Sequence, residues 1–280
     1  MPFRSLRKAL YFLLVSGMAL AASLGPVPRS AADDPDETPV SPISIPAVSG
    51  ESFTLPPDMR LNDAQLAGLA SQIANHGITR LSLAQHTEII GTGLQPFAAL
   101  VQLKELDLDG TGIQDDDLSA LEKLTGLEQL NVSDTRVSDD GLTHLKGLVH
   151  LQKLGLRNTA VDDAGLDNLK AMSHLRELDL NGTPISGPGL KSLANLAQLE
   201  SLDLGDTQLE GLCLDPLRGL SRLQTLHLNN TQITNEALEA LRGEPALQLL
   251  NVSCTNVTDA GLAPFLSHSG LTTLNFCADH

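Results

Sequence analysis

Tryptophan is absent from this 280-residue chain, tyrosine occurs once and phenylalanine six times, and three of these aromatic residues, Phe3, Tyr11 and Phe12, fall in the first dozen positions. The remainder therefore has almost no flat aromatic surface on which a nucleobase or sugar could stack. Basic residues are also scarce: 18 Lys and Arg stand against 34 Asp and Glu, for a formal net charge of -16. A nucleic-acid or anionic-lipid partner needs a basic footprint, so repulsion excludes both. Cysteine is limited to Cys213, Cys254 and Cys277. No G-x-S-x-G, H-E-x-x-H or phosphate-cradling Gly-Lys motif occurs, so nothing marks an enzyme and no cofactor is expected.

Residues 1–32 read as an export signal. Arg4, Arg7 and Lys8 precede the apolar run Ala9 to Gly25, which is shorter than a spanning helix, and small-residue exits follow at Ala21 and Ala32. Retention as an uncleaved anchor is the alternative. Cleavage would remove four bases and no acid, leaving an even more acidic chain in the secreted, periplasmic or envelope space. Residues 33–57 hold six prolines among scattered acids and read as a disordered linker. A capping helix is expected within 58–77, started by Asn62 or Asp63, turning Leu66, Leu69 and Ile73 inward and closed by Gly77.

From residue 78 onward the chain repeats. Leu103, Leu127, Leu151, Leu175, Leu199, Leu223, Leu247 and Leu271 recur every 24 residues without insertion. Counting each of these as column 1, columns 1, 4, 6, 11, 16, 19 and 22 are apolar in every complete row except at Glu244 and His268. Seven inward side chains per row cannot be buried by one coil, so neighbours must stack into a solenoid. Alternation over columns 3 to 6 is strand periodicity, and nine parallel strands at about 4.8 Å spacing would span roughly 40 Å. A degenerate row beginning at Ile78 precedes the regular ones.

The row openings "LKELDLDGT", "LRELDLNGT" and "LQTLHLNNT" resemble the strand motif of the leucine-rich repeat family, over about 200 residues. The resemblance implies an α/β leucine-rich repeat solenoid over 78–280, right-handed and curved, with parallel strands on its concave face, short helices on its convex face, and a monomeric interaction role. The wordings "TRVSDDGL", "TAVDDAGL" and "TNVTDAGL" are similar to the cysteine-containing subclass of F-box adaptors and to exported bacterial members with Thr in place of Cys. No F-box-like helical segment stands ahead of the repeats, which favours the exported group over a substrate-recognition adaptor; an envelope scaffold with no specific ligand is a further alternative.

Column 9 is Thr in every complete row: Thr111, Thr135, Thr159, Thr183, Thr207, Thr231 and Thr255. The resemblance makes these a structural ladder satisfying backbone groups at the strand exit. Column 12 supplies helix N-caps in Ser138, Asp162, Ser186, Thr234 and Thr258, and the acids after several of them suit a positive helix start. The recurrent column 15 glycines, Gly141, Gly165, Gly189 and Gly261, imply close approach between coils.

Family function resides on outward strand residues, which places a protein-binding face at Arg80, Glu105, Asp107, Asp109, Lys153, Arg157, Glu177, Asp179, Asp203 and His227. This face is polar and acidic in its first half, suited to a basic or polar protein partner. Neither of two metal readings is adopted: Asp107, Asp109 and Asp115 to Asp117 lack a closing Glu for calcium, and His150 and His174 lack a third ligand. Cys254 and Cys277 are one strand spacing and one residue apart, or about 5.8 Å diagonally, within reach of a disulfide. Cys213 replaces a column 15 glycine and reads as a small packed residue.

Overall fold

The apolar columns are turned inward along the whole solenoid, from Ile78 and Leu81 through Leu130, Leu178 and Leu226 to Phe265, each at most 2% exposed. The structure, a computed structural model, describes residues 51–56 and 58–277; the signal expected over 1–32 and most of the linker lie outside the described residues. Each coil contributes a three-residue strand whose middle residue, column 4, is buried, except at Leu274 of the last strand, while columns 3 and 5 are more exposed. The strands are β1 (Ser52–Thr54), β2 (Arg80–Ser82), β3 (Glu105–Asp107), β4 (Gln129–Asn131), β5 (Lys153–Gly155), β6 (Glu177–Asp179), β7 (Ser201–Asp203), β9 (Thr225–His227), β11 (Leu249–Asn251) and β12 (Thr273–Asn275). They form one parallel sheet in chain order and strict register, Glu105 beside Gln129, Lys153, Glu177 and Ser201 in turn. Two short strands, β8 (Glu210–Gly211) and β10 (Gln232–Ile233), pair separately.

The first strand corrects an expectation. Ser52–Thr54 lies in the segment read as unstructured through residue 57, yet it pairs with Arg80–Ser82 and raises the strand count from nine to ten. Phe53 and Leu55 are buried at 7% and 2%, and the Leu55 amide donates to the Ser82 carbonyl at 2.9 Å. Two apolar residues two positions apart suffice to cover the edge of β2, a signal hidden by the surrounding prolines. Behind it, helix α1 (Asp63–His76) is closed by a capping box in which Asn62 and Gln65 exchange side chain and amide at 2.9 Å each, and by Gly77 in the left-handed region.

Leaving each strand, the column 9 threonine hydroxyl donates to the column 6 carbonyl of its own coil, from Thr111 to Leu108 at 2.6 Å through Thr255 to Val252 at 2.7 Å. These bonds sit mostly out of solvent, where an unmatched carbonyl costs about 1–3 kcal/mol. The opposite side of the solenoid is built largely from 3-10 turns, such as 115–121, 165–169 and 188–192, rather than α-helix. Only a few residues separate columns 13 and 20, too few for a propagated α-helix.

Most helix starts are not capped by the column 12 side chains as expected. Ser138, Thr234 and Thr258 make no local side-chain cap, while Asp162 accepts from the Ala164 amide two residues on. The cap comes from the preceding coil. Asp115, at column 13, accepts from the Ser138 amide at 2.6 Å, the Ser138 hydroxyl at 2.7 Å and the Gly141 amide at 3.0 Å. Asp163 does the same for Ser186, Gly187 and Gly189, and Asn235 accepts from the Thr258 amide at 2.9 Å. Burial alone would raise the Asp163 carboxyl, but these donors together hold it below the usual range.

The latch explains the column 15 glycines. A Cβ on Gly141 would lie 2.5 Å from Asp115 Oδ1, on Gly165 2.2 Å from Asp139 Oδ1, on Gly189 2.8 Å from Asp163 Oδ1, and on Gly261 2.3 Å from Asn235 Oδ1. Where column 13 is itself glycine, the next column 15 is free to carry a side chain: Gly187 faces Cys213, Gly211 precedes Ala237, and the Gly91 amide donates to Asp117. Every junction between successive coils from residue 91 onward obeys this pairing. Gly141→Ala should therefore lower stability by about 2 kcal/mol. Asp115→Gly in the same chain should recover part of that loss, read as a favourable coupling energy in urea denaturation; strictly additive losses would contradict the latch.

Candidate protein-binding face

Because columns 3 and 5 point away from the core in every coil, their side chains meet on one polar sheet surface. Eight of the ten residues assigned to this face line a single concavity of about 670 Å³: Arg80, Glu105, Asp107, Lys153, Glu177, Asp179, Asp203 and His227. Asp109 and Arg157 do not line it. They belong to column 7, just past the strands, where Asp109 accepts from Gln85 Nε2 at 2.6 Å.

The charges divide by column. In column 3 the register sets cations beside anions, Arg80 Nε against Glu105 at 3.0 Å and Lys153 Nζ against Glu177 at 2.8 Å. These exposed pairs each contribute under about 1 kcal/mol but neutralise that row. Column 5 has no such balance: among the described residues, no ion pair engages Asp107, Asp179 or Asp203. Farther out, Asp134 and Asp206, not assigned to the face from sequence, extend the negative edge; Asp206 accepts from Asn229 Nδ2 at 3.4 Å.

Column 5 also carries a local structural duty that the sequence pattern contained but that was not drawn from it. Asp107, Asn131, Asp179, Asp203 and Asn251 each use Oδ1 to accept the amide two residues ahead, at 2.8 to 3.2 Å, shaping the strand exit. One side-chain oxygen of each is committed to the backbone, and Asp107 Oδ2 also accepts from the Ser82 hydroxyl at 3.1 Å, while Asp107, Asp179 and Asp203 all line the concavity. His227 breaks the Asx pattern, its Nδ1 lying 3.4 Å from Asn251 Nδ2. Burial pushes the Asp179 carboxyl above its usual range, and the Asp203 charge across the rung adds to this, against the bond from the Asn181 amide and the nearby Arg157.

The acids weighed as calcium ligands are otherwise occupied, Asp115 with the next coil and Asp117 with the amides of Gln114 and Gly91. The His150 and His174 rings lie with centroids 5.5 Å apart and tilted by 45°, and His174 Nδ1 meets the Val149 carbonyl. No group of three or more potential metal ligands occurs among the described residues.

A parallel sheet with one strand per 24-residue coil, a leucine rib inside and a polar face outside, defines a repeat solenoid. Leucine-rich repeat family models match residues 197–257 and residues 102–121 and 171–194, and the chain folds as a leucine-rich repeat solenoid. It is similar to the crystal structure of an internalin C2 from Listeria monocytogenes, at 25% identity and a TM-score of 0.60, over 78% of this chain and 84% of that one. An internalin F from the same organism aligns at 22% identity and a TM-score of 0.59, over 77% of this chain and 64% of that one. The likeness supports a bacterial leucine-rich repeat protein. No curated protein matches.

The raised Asp179 carboxyl fixes the sign of a pH effect. The folded chain holds this proton more tightly than the unfolded one, so its stabilising contribution is complete below the unfolded pKa and is lost as pH rises through the folded value. Asp179→Asn keeps the Oδ1 acceptor and removes the charge. Its melting temperature should exceed the parent's by about 1–3 °C at pH 7, with the gap closing as pH falls below the carboxylate range. A uniform loss at both pH values would contradict this assignment.

Proposed function

We infer that the chain is an exported, non-enzymatic interaction module that takes a protein partner on the face formed by β2 to β9. A leucine-rich repeat fold of this type supports protein–protein interaction. The observation that carries the finer reading is the division of charge: column 3 neutralises itself, while Asp107, Asp179 and Asp203 present carboxylates into one shared concavity. A complementary partner presents Lys or Arg side chains along an extended surface. Hot-spot aromatics are lacking on this side, so affinity rests on many modest contacts and weakens with salt.

The location rests on the signal-like residues 1–32. Among the described residues, no helix is long and apolar enough to cross a membrane. The pattern of outward residues offers surface chemistry rather than a nucleophile and base in mutual reach, which is why binding is preferred to catalysis.

Because the column 5 carboxylates shape the strand exits, alanine substitutions would confuse folding with binding. The triple variant Asp107→Asn, Asp179→Asn, Asp203→Asn preserves each Oδ1 acceptor. It should melt within a few degrees of the parent and lose, by at least about tenfold, the binding of a partner captured by the parent from an extracytoplasmic fraction. Equal capture by both proteins would contradict an electrostatic role for this face and favour a structural scaffold.

A further inference from the structure

Column 8, the residue after each strand exit, has positive φ throughout: Gly110, Asp134, Asn158, Gly182, Asp206, Asn230 and Cys254, with Cys254 at φ 57. Glycine and Asx enter this region readily; cysteine does so only with backbone strain. In six of these coils the column 8 amide donates to the column 7 carbonyl of the next coil, from Gly110 to Ser133 at 2.9 Å through Asn230 to Ser253 at 2.9 Å. At Cys254 the amide donates instead to Cys277 Sγ, at 3.1 Å, and the two sulfurs lie 3.1 Å apart. A residue poorly suited to its backbone slot thus coincides with the replacement of a repeated rung by a sulfur contact, and both cysteines are exposed.

The coil they join is the least buried. Leu271 and Leu274 are only partly covered, whereas their counterparts Leu247 and Leu250 are fully buried, and Phe276 is 45% exposed. A covalent tie here would hold β12 to β11 where packing holds it least. We propose that Cys254 and Cys277 are a site of reversible dithiol oxidation that clips this coil to its neighbour. The oxidant is an external disulfide. One cysteine thiolate attacks an oxidant sulfur, breaking that S–S bond, forming a mixed disulfide and releasing the first thiol. The second cysteine attacks the protein-side sulfur, forming the Cys254–Cys277 bond and expelling the second thiol. Two electrons pass to the oxidant, and the two cysteine protons end on its thiols. Cys213 takes no part: it is packed against Gly187, and burial pushes its thiol up to about 11.

The test uses the full reduced chain with glutathione disulfide as probe. Expected are the loss of two of three titratable thiols, a mass lower by two hydrogens on a monomer, a cross-linked peptide joining Cys254 to Cys277, and hydrogen exchange at Thr273–Asn275 slowed at least about tenfold. Cys254→Asn restores the residue type usual in column 8, so the reduced variant should fold as stably as the reduced parent and gain no protection on oxidation. Retention of three thiols, stable glutathione adducts without the internal bond, or bonds between chains would each overturn the assignment. So would an oxidised parent whose exchange at β12 is unchanged.

Discussion

The structure depends on register between neighbouring coils. A single row of seven aliphatic side chains has nothing to bury against except the rows before and after it, so each coil is stable only in the company of others. Leucine contacts are non-directional and would tolerate a slide or a tilt. Directional bonds remove that freedom. Column 13 carboxylates reach across to the amides that open the next coil's turn, as Asp115 does to Ser138 and Gly141, and the glycine beneath each one leaves room for the approach. Hydrophobic burial supplies the drive, and the latch selects one alignment.

That alignment in turn composes the outer face. Strict pairing sets Arg80 beside Glu105 and Lys153 beside Glu177, so neutralisation in column 3 follows from coil register rather than from any local turn. The same pairing sets Asp179 beside Asp203, where like charges stay adjacent and one carboxyl is raised in consequence of burial and that neighbour. Retaining two acids side by side costs folding stability.

The solenoid was legible because its ribs repeat at fixed spacing: Leu127, Leu130, Val132, Val137, Leu142, Leu145 and Leu148 are all fully or nearly fully buried, as their columns require. The helix from Asn62 to Gly77 was legible because caps are local signals. Strand β1 was not, since Phe53 and Leu55 are a two-residue pattern inside a proline-rich stretch. The latch was missed for a different reason. Asp139 and Asp163 were read within their own coil, as acids suited to a helix start, whereas their bonds run to residues more than twenty positions ahead. Comparing column 13 of one row with column 15 of the next would have exposed it, because glycine and side chain alternate between the two. On the face, column 5 could have been recognised as Asx turns from Asp107, Asn131, Asp179, Asp203 and Asn251, which shows those acids serving backbone and surface together.

The most direct measurement of whether inter-coil matching governs this fold is a comparison of two deletions, each removing one 24-residue coil and preserving every aliphatic column. Deleting 151–174 sets Asp139 against Gly189, a matched junction, while deleting 175–198 sets Asp163 against Cys213, where the carboxylate meets a side chain instead of open space. Thermal melting should show the first shortened chain close to the parent and the second lower by about 5 °C or more. Equal melting of the two, or a less stable matched deletion, would contradict the claim that the carboxylate–glycine junction sets the register.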